Sequence, residues 1–125
     1  MTNKHPRPTS PHLQIYRLPL TGLISITHRI TGVLLSAGLI LIVAFLYVIA
    51  QGEVAYQGLQ VITGYGLVKL IYWGFVFALY FHVCHGVRHL LWDVGAGFEA
   101  GHLNKFAKLE VLFATGLTFI TSLIL

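Results

Sequence analysis

Along this chain polar residues give way three times to long apolar runs: about Ser25 to Ala50, about Gly66 to Trp92, and about Phe106 to Leu125. A helix needs roughly 20 such residues to cross a bilayer, and the first two runs supply them outright. The third carries Lys108 and Glu110 in its first turns, so its purely apolar part is Val111 to Leu125. Thr115, Thr118, Thr121 and Ser122 do not argue against a helix there, because a hydroxyl in an apolar helix can bond a carbonyl one turn earlier. The connection from Gly52 to Gly64 is short enough to make the first two spans antiparallel neighbours. The pattern therefore predicts an all-α membrane protein: one membrane-anchor domain over residues 1–125, with an arm over 1–22 followed by three transmembrane helices.

Composition narrows the class further. At 56% hydrophobic and 10% charged residues, 125 residues are too apolar for a soluble domain. The net charge of +4 could suggest nucleic acid, but the basic residues are sorted by topology and no nucleic-acid patch is expected. Lys4, Arg7, Arg17 and Arg29 precede or open the first span, and Arg88, Lys105 and Lys108 bracket the second connection, while the first connection carries Glu53. The positive-inside rule then places the N-terminus in the cytoplasm. Trp73, Trp92, Tyr47, Tyr65 and Tyr72 near span ends read as interface anchors against membrane lipid. Met1 to Pro19 holds all four prolines and no apolar signal region, so an extended cytoplasmic arm is expected. It also lacks a transit-peptide pattern, which favours a bacterial inner membrane.

The chemistry sits in two clusters. His82-Val-Cys-His-Gly-Val-Arg-His89 puts imidazoles, an arginine and a glycine into an apolar span, where ionisable groups are usually functional. At 100° per residue His82, Gly86, His89 and Asp93 fall within roughly 60° of one another, with Arg88 on another side. An imidazole with a bare glycine one turn away suits a flat macrocycle lying close to the backbone. No C-x-x-C-H run exists, and the single Cys84 is read as packing, so a haem here would be held non-covalently. The competing reading, that these histidines only bond neighbouring helices, weighs as much for any one of them; their shared stripe favours a site.

The second cluster opens the first span. Ser25, Arg29, Gly32 and Ser36 share a narrow face, with His28 beside it. Given the topology, it lies at the same membrane surface as Arg88 to Asp93, and His82 lies about 9 Å deeper by helical rise. Alone, Arg29 would read as a snorkelling interface residue. With Ser25 it supplies donors for a quinone carbonyl, and it can also pair a carboxylate. Asp93 and Glu99 read as helix-end or loop carboxylates, Asp93 with a possible part in proton supply to a quinone.

Arg7-Pro8, Ser25-x-x-His28-Arg29-x-x-Gly32 and His82-x-x-x-Gly86-Val-Arg88-His89-x-x-Trp92-Asp93-x-Gly95 together resemble the cytochrome b subunit of succinate dehydrogenase, the larger membrane anchor of respiratory complex II. The resemblance covers nearly the whole chain. It implies that His82 is an axial ligand of haem b iron, that Ser25 and Arg29 line the ubiquinone pocket, and that Arg29, with His28 nearby, meets the haem propionates; helical geometry by itself lets a ring bound at His82 over Gly86 point its acidic substituents toward Arg29, His28 and His89. His85 has no dependable counterpart and is read as a packing or supporting residue. The implied partners are a second membrane anchor with the other axial histidine, an iron–sulfur subunit and a flavoprotein subunit. The implied function is electron transfer from succinate to quinone, within the respiratory chain and the tricarboxylic acid cycle. This chain itself holds no flavin fingerprint and no cysteine cluster, so it is expected to supply the quinone end and none of the succinate chemistry. A haem-free structural anchor and an anchor of a quinol:fumarate reductase remain as rivals. A dihaem cytochrome would want more paired histidines, and a transporter would want broken helices at corresponding positions.

Overall fold

The computed structural model describes residues 15–97 and 99–125, and among them every regular element is helical. The helices are α1 (Leu20–Ala50), α2 (Glu53–Gly64), α3 (Gly66–Asp93) and α4 (Ala100–Ile124). Three of them, α1, α3 and the His102–Ile124 part of α4, are long and apolar enough to cross a membrane. Most of the arm expected before the first span falls outside the described residues; α1 begins at Leu20, directly after Pro19. Proline is tolerated where a helix starts, since its missing N–H has no intrahelical partner there, and it stops the helix from extending backwards.

The connection between the first two spans differs from a plain loop. Glu53–Gly64 forms a short helix with no buried residue, delimited by Gly52 at φ 101° and by Gly64. Only a residue without Cβ reverses the chain cheaply at that φ. Glu53 in the first turn suits the positive end of the helix dipole and accepts a hydrogen bond from Gln57 Nε2 at 3.1 Å. Val54, Tyr56, Val61 and Ile62 are exposed on this helix alongside Glu53, Gln57 and Gln60.

Helix α3 sits between the other two spans. Contacts pair His82 with Thr31 and Gly32, and Phe75 with Gly38, so α1 and α3 run antiparallel. Arg88 meets Glu110, and Tyr80 Oη lies 2.7 Å from Thr121 Oγ1, so α3 and α4 are antiparallel as well. The small core consists of Ile24, Phe81, Ala107 and Ala114, with Leu20, Phe77 and Tyr80 against it. Ala107 and Ala114, both at 0% exposure and two turns apart, let α4 approach closely, as small residues do where apolar burial cannot drive helices together. Gly38 serves α1 in the same way: a Cβ there would stand 2.7 Å from Phe75 Cε1. Gly38→Val is expected to lower the thermal midpoint of the assembled protein by forcing the Phe75 ring off its site, a cost of about 1–3 kcal/mol. An unchanged melting curve would show that α1 and α3 separate here at no cost.

Candidate functional site

The start of α1, the end of α3 and the start of α4 together hold a group of imidazoles and ions far too polar for a lipid-facing surface. His28 on α1 stacks on His82 of α3, with ring centroids 3.9 Å apart and planes 16° from parallel. Its ring also lies 4.7 Å from that of His85 and 5.8 Å from that of His89. Nitrogen atoms of His28, His85 and His89 all fall within 4.8 Å of one another. Two sequence segments widely separated along the chain thus form one histidine cluster, because the antiparallel pairing of α1 and α3 brings the start of one to the level of the end of the other.

One turn of α1 surrounds the His82 ring. Besides the His28 stack, Thr31 Oγ1 lies 3.1 Å from His82 Nδ1. Gly32 completes the seat: a Cβ at that position would be 3.1 Å from His82 Cε1, so only glycine leaves the ring its full space. On the flank of α3 toward Gly86 none of the described residues provides cover. A Cβ on Gly86 would meet nothing within 4 Å, and Leu79, Val83 and Leu90 beside it are 49%, 52% and 65% exposed. That flank is an exposed apolar wall.

The opposite side of His85 holds an ion network that the sequence reading did not anticipate. Glu110 of α4, buried to 7% exposure, accepts from Arg88 Nη1 at 2.9 Å and pairs with His85 Nδ1 at 3.0 Å. Arg88 donates from Nη2 to the Leu103 carbonyl at 2.8 Å, and its guanidinium stands 4.6 Å over the Trp92 ring. Arg88 therefore does leave the His82 stripe, as its helical angle indicates, and it turns inward to α4. His85, 1% exposed, is a structural link between the histidine cluster and this ion pair. Glu110 is the carboxylate that the sequence reading set aside as part of a polar helix start. Its signal was a lone acid beside the residue types that fill a packed helix face.

The remaining expected residues are arranged more loosely. Ser25 is half-buried and Arg29 is exposed, one turn apart on α1. Asp93 is exposed at the end of α3, and Glu99 pairs with His102 at 2.8 Å on the surface at the start of α4. Cys84 is half-buried and lines an open apolar groove of about 550 Å³ between α3 and α4, on the side of α3 away from His82.

Three membrane-length helices that bring a histidine cluster together define a membrane-embedded protein. The chain belongs to the succinate dehydrogenase/fumarate reductase transmembrane subunit family, whose pattern it matches over residues 3–125. It is 35% identical over 122 residues to the succinate dehydrogenase cytochrome b556 subunit of Paracoccus denitrificans, covering 98% of this chain and 94% of that one. The corresponding subunit of Rickettsia felis is 38% identical over 98 residues, covering 78% of this chain and 76% of its own. The mitochondrial succinate dehydrogenase cytochrome b560 subunit of Sus scrofa is 36% identical over 117 residues, covering 89% and 69% respectively.

Proposed function

We propose that this chain is the haem-carrying, quinone-reducing anchor of a succinate:ubiquinone oxidoreductase, seated in a bacterial inner membrane with its N-terminus in the cytoplasm. The observation that carries the reading is the histidine cluster itself: His28 from α1 and His82 and His89 from α3 meet beside a flank of α3 that the described residues leave open at Gly86. The names of its relatives, cytochrome b556 and b560 subunits, agree with a b-type haem at such a place.

The residues present fit that group. His82 offers an imidazole nitrogen, Gly86 leaves the space that a macrocycle needs, and the surrounding wall is aliphatic. Exposed Arg29 and the imidazoles of His28 and His89 would supply cations and donors to the acidic edge of a porphyrin. When bound at His82, haem b would supply a one-electron store, with a second anchor subunit holding it from the other side. A partner is a physical necessity as well, since the polar groups of the cluster would otherwise face hydrocarbon along the Gly86 flank.

Ser25 and Arg29 hold and polarise a carbonyl oxygen of ubiquinone. A hydroxyl and a guanidinium one turn apart strengthen their hydrogen bonds as negative charge grows on that oxygen during reduction. Electrons come one at a time from an iron–sulfur subunit, which a flavoprotein subunit feeds, and protons come from the cytoplasmic side. Ser25→Ala and Arg29→Leu are each expected to lower quinone reduction by about 10- to 100-fold, while the purified complex still oxidises succinate with an artificial dye acceptor. Parallel loss of both activities would mean that these residues serve assembly only.

A further inference from the structure

One assignment of protons satisfies both hydrogen-bond contacts of Thr31 at once. Thr31, 5% exposed, lies 2.8 Å from the His28 carbonyl oxygen and 3.1 Å from His82 Nδ1. A carbonyl cannot donate, so both contacts are hydrogen bonds only when the single hydroxyl proton of Thr31 goes to His28, which is also the shorter of the two. The Thr31 oxygen can then only accept from His82, which requires the proton of that imidazole to be on Nδ1. In a neutral ring this leaves the lone pair on Nε2.

From this the geometry points to Thr31 as a positioning residue for His82, one that fixes the tautomer and the ring plane in which Nε2 is the ligating nitrogen. The inference rests on the reading of His82 as a haem ligand and adds the residue that prepares it. Three contacts from one turn of α1 act together: the His28 ring stacks on the imidazole, Thr31 holds Nδ1–H, and Gly32 leaves room at Cε1. Rotation of the ring about its Cβ–Cγ bond would break the Thr31 contact and drive the ring against the α1 backbone. A metal-ligating histidine commonly has its other nitrogen so held, and the bond increases the basicity of the ligand. Here the acceptor is a hydroxyl that is itself tied to the backbone, so it stays in place in the apolar interior, where no carboxylate is needed. The residues of this turn, His28-Arg29-Ile30-Thr31-Gly32, therefore serve two purposes: His28, Thr31 and Gly32 orient the ligand, and Arg29 reaches outward.

The test uses the assembled, purified complex carrying Thr31→Val, Thr31→Ala, Thr31→Ser or His82→Leu. Retention of haem against an excess of an apo-haem-protein acceptor, and the midpoint potential of the haem that remains, are measured beside thermal stability. Valine and alanine are expected to weaken retention by about 10-fold or more and to raise the midpoint potential, because a less basic ligand favours the ferric state less; serine is expected to restore both. Alanine keeps the test open should valine prevent assembly. A purely structural Thr31 would change thermal stability while leaving the potential at the wild-type value, and that result overturns the inference. If Thr31→Val and Thr31→Ala match the wild type while His82→Leu loses its haem, the hydrogen bond has no such role although His82 remains the ligand. If His82→Leu retains an unaltered haem, the ligand reading fails and the role of Thr31 falls with it.

Discussion

Replacing Glu110 by alanine is expected to destabilise the three-helix unit by about 3–5 kcal/mol, the usual cost of leaving a buried ion without its partner. Glu110 holds two groups at once: the Arg88 guanidinium at 2.9 Å and the His85 imidazole at 3.0 Å. Arg88 is 6% exposed and His85 1%, so neither can turn to water without opening the packing of α3 on α4. The carbonyl of Leu103 remains as a neutral acceptor for Arg88, at 2.8 Å, and cannot balance a full charge. The effect should appear as early thermal inactivation of the purified complex, with α4 detaching first. The double replacement Arg88→Met with Glu110→Leu should recover much of the loss, since an apolar pair of similar volume removes both charges together. A single Glu110→Ala variant as stable as the wild type would mean that the arginine escapes to the membrane surface and that the pair contributes nothing.

Removing His82 is the second large change, and its effect should differ in kind from that of its three neighbours. His85 has its Nδ1 engaged by Glu110 and is wholly enclosed, so nothing as large as a macrocycle can approach it. His89 is exposed and lies edge-on to Trp92, with ring centroids 5.0 Å apart. His28 is on α1 and serves as the stacking surface of the ligand. Only His82 combines an anchored Nδ1, a seat carved by Gly32 and a neighbouring open flank at Gly86. His82→Leu should therefore abolish haem binding, His85→Leu should mainly lower stability, and His28→Ala and His89→Ala should leave the haem bound with altered spectra. Loss of haem on replacing His85 alone, with His82 dispensable, would reverse this assignment.

The sequence carried the spans well because the bilayer imposes a length and an apolar content that no tertiary context can override. It also carried the meeting of the two polar clusters, since antiparallel neighbours force the start of α1 and the end of α3 to one level. Helix α2 was not visible in it: twelve residues with alternating polar and apolar character and two flanking glycines look like a loop until an interface gives the apolar face somewhere to lie. The Arg88–Glu110 pair was hidden for another reason. Arg88 must find one of the four carboxylates in the chain, and which one depends on the register of α4 against α3. Periodicity within α3 indicates only that Arg88 leaves the His82 stripe. The tight seat of His82 belongs to the same category, because Thr31 and Gly32 acquire their meaning from a neighbour on another helix.

The most direct measurement is a dithionite-reduced minus oxidised absorption spectrum of the purified membrane complex, wild type beside His82→Leu. The wild type should show the sharp α-band of a b-type haem, and the variant should lose it or shift it. A complex with no such band, or a variant whose band is unchanged, would contradict the account and leave the histidine cluster as a packing element of a haem-free anchor.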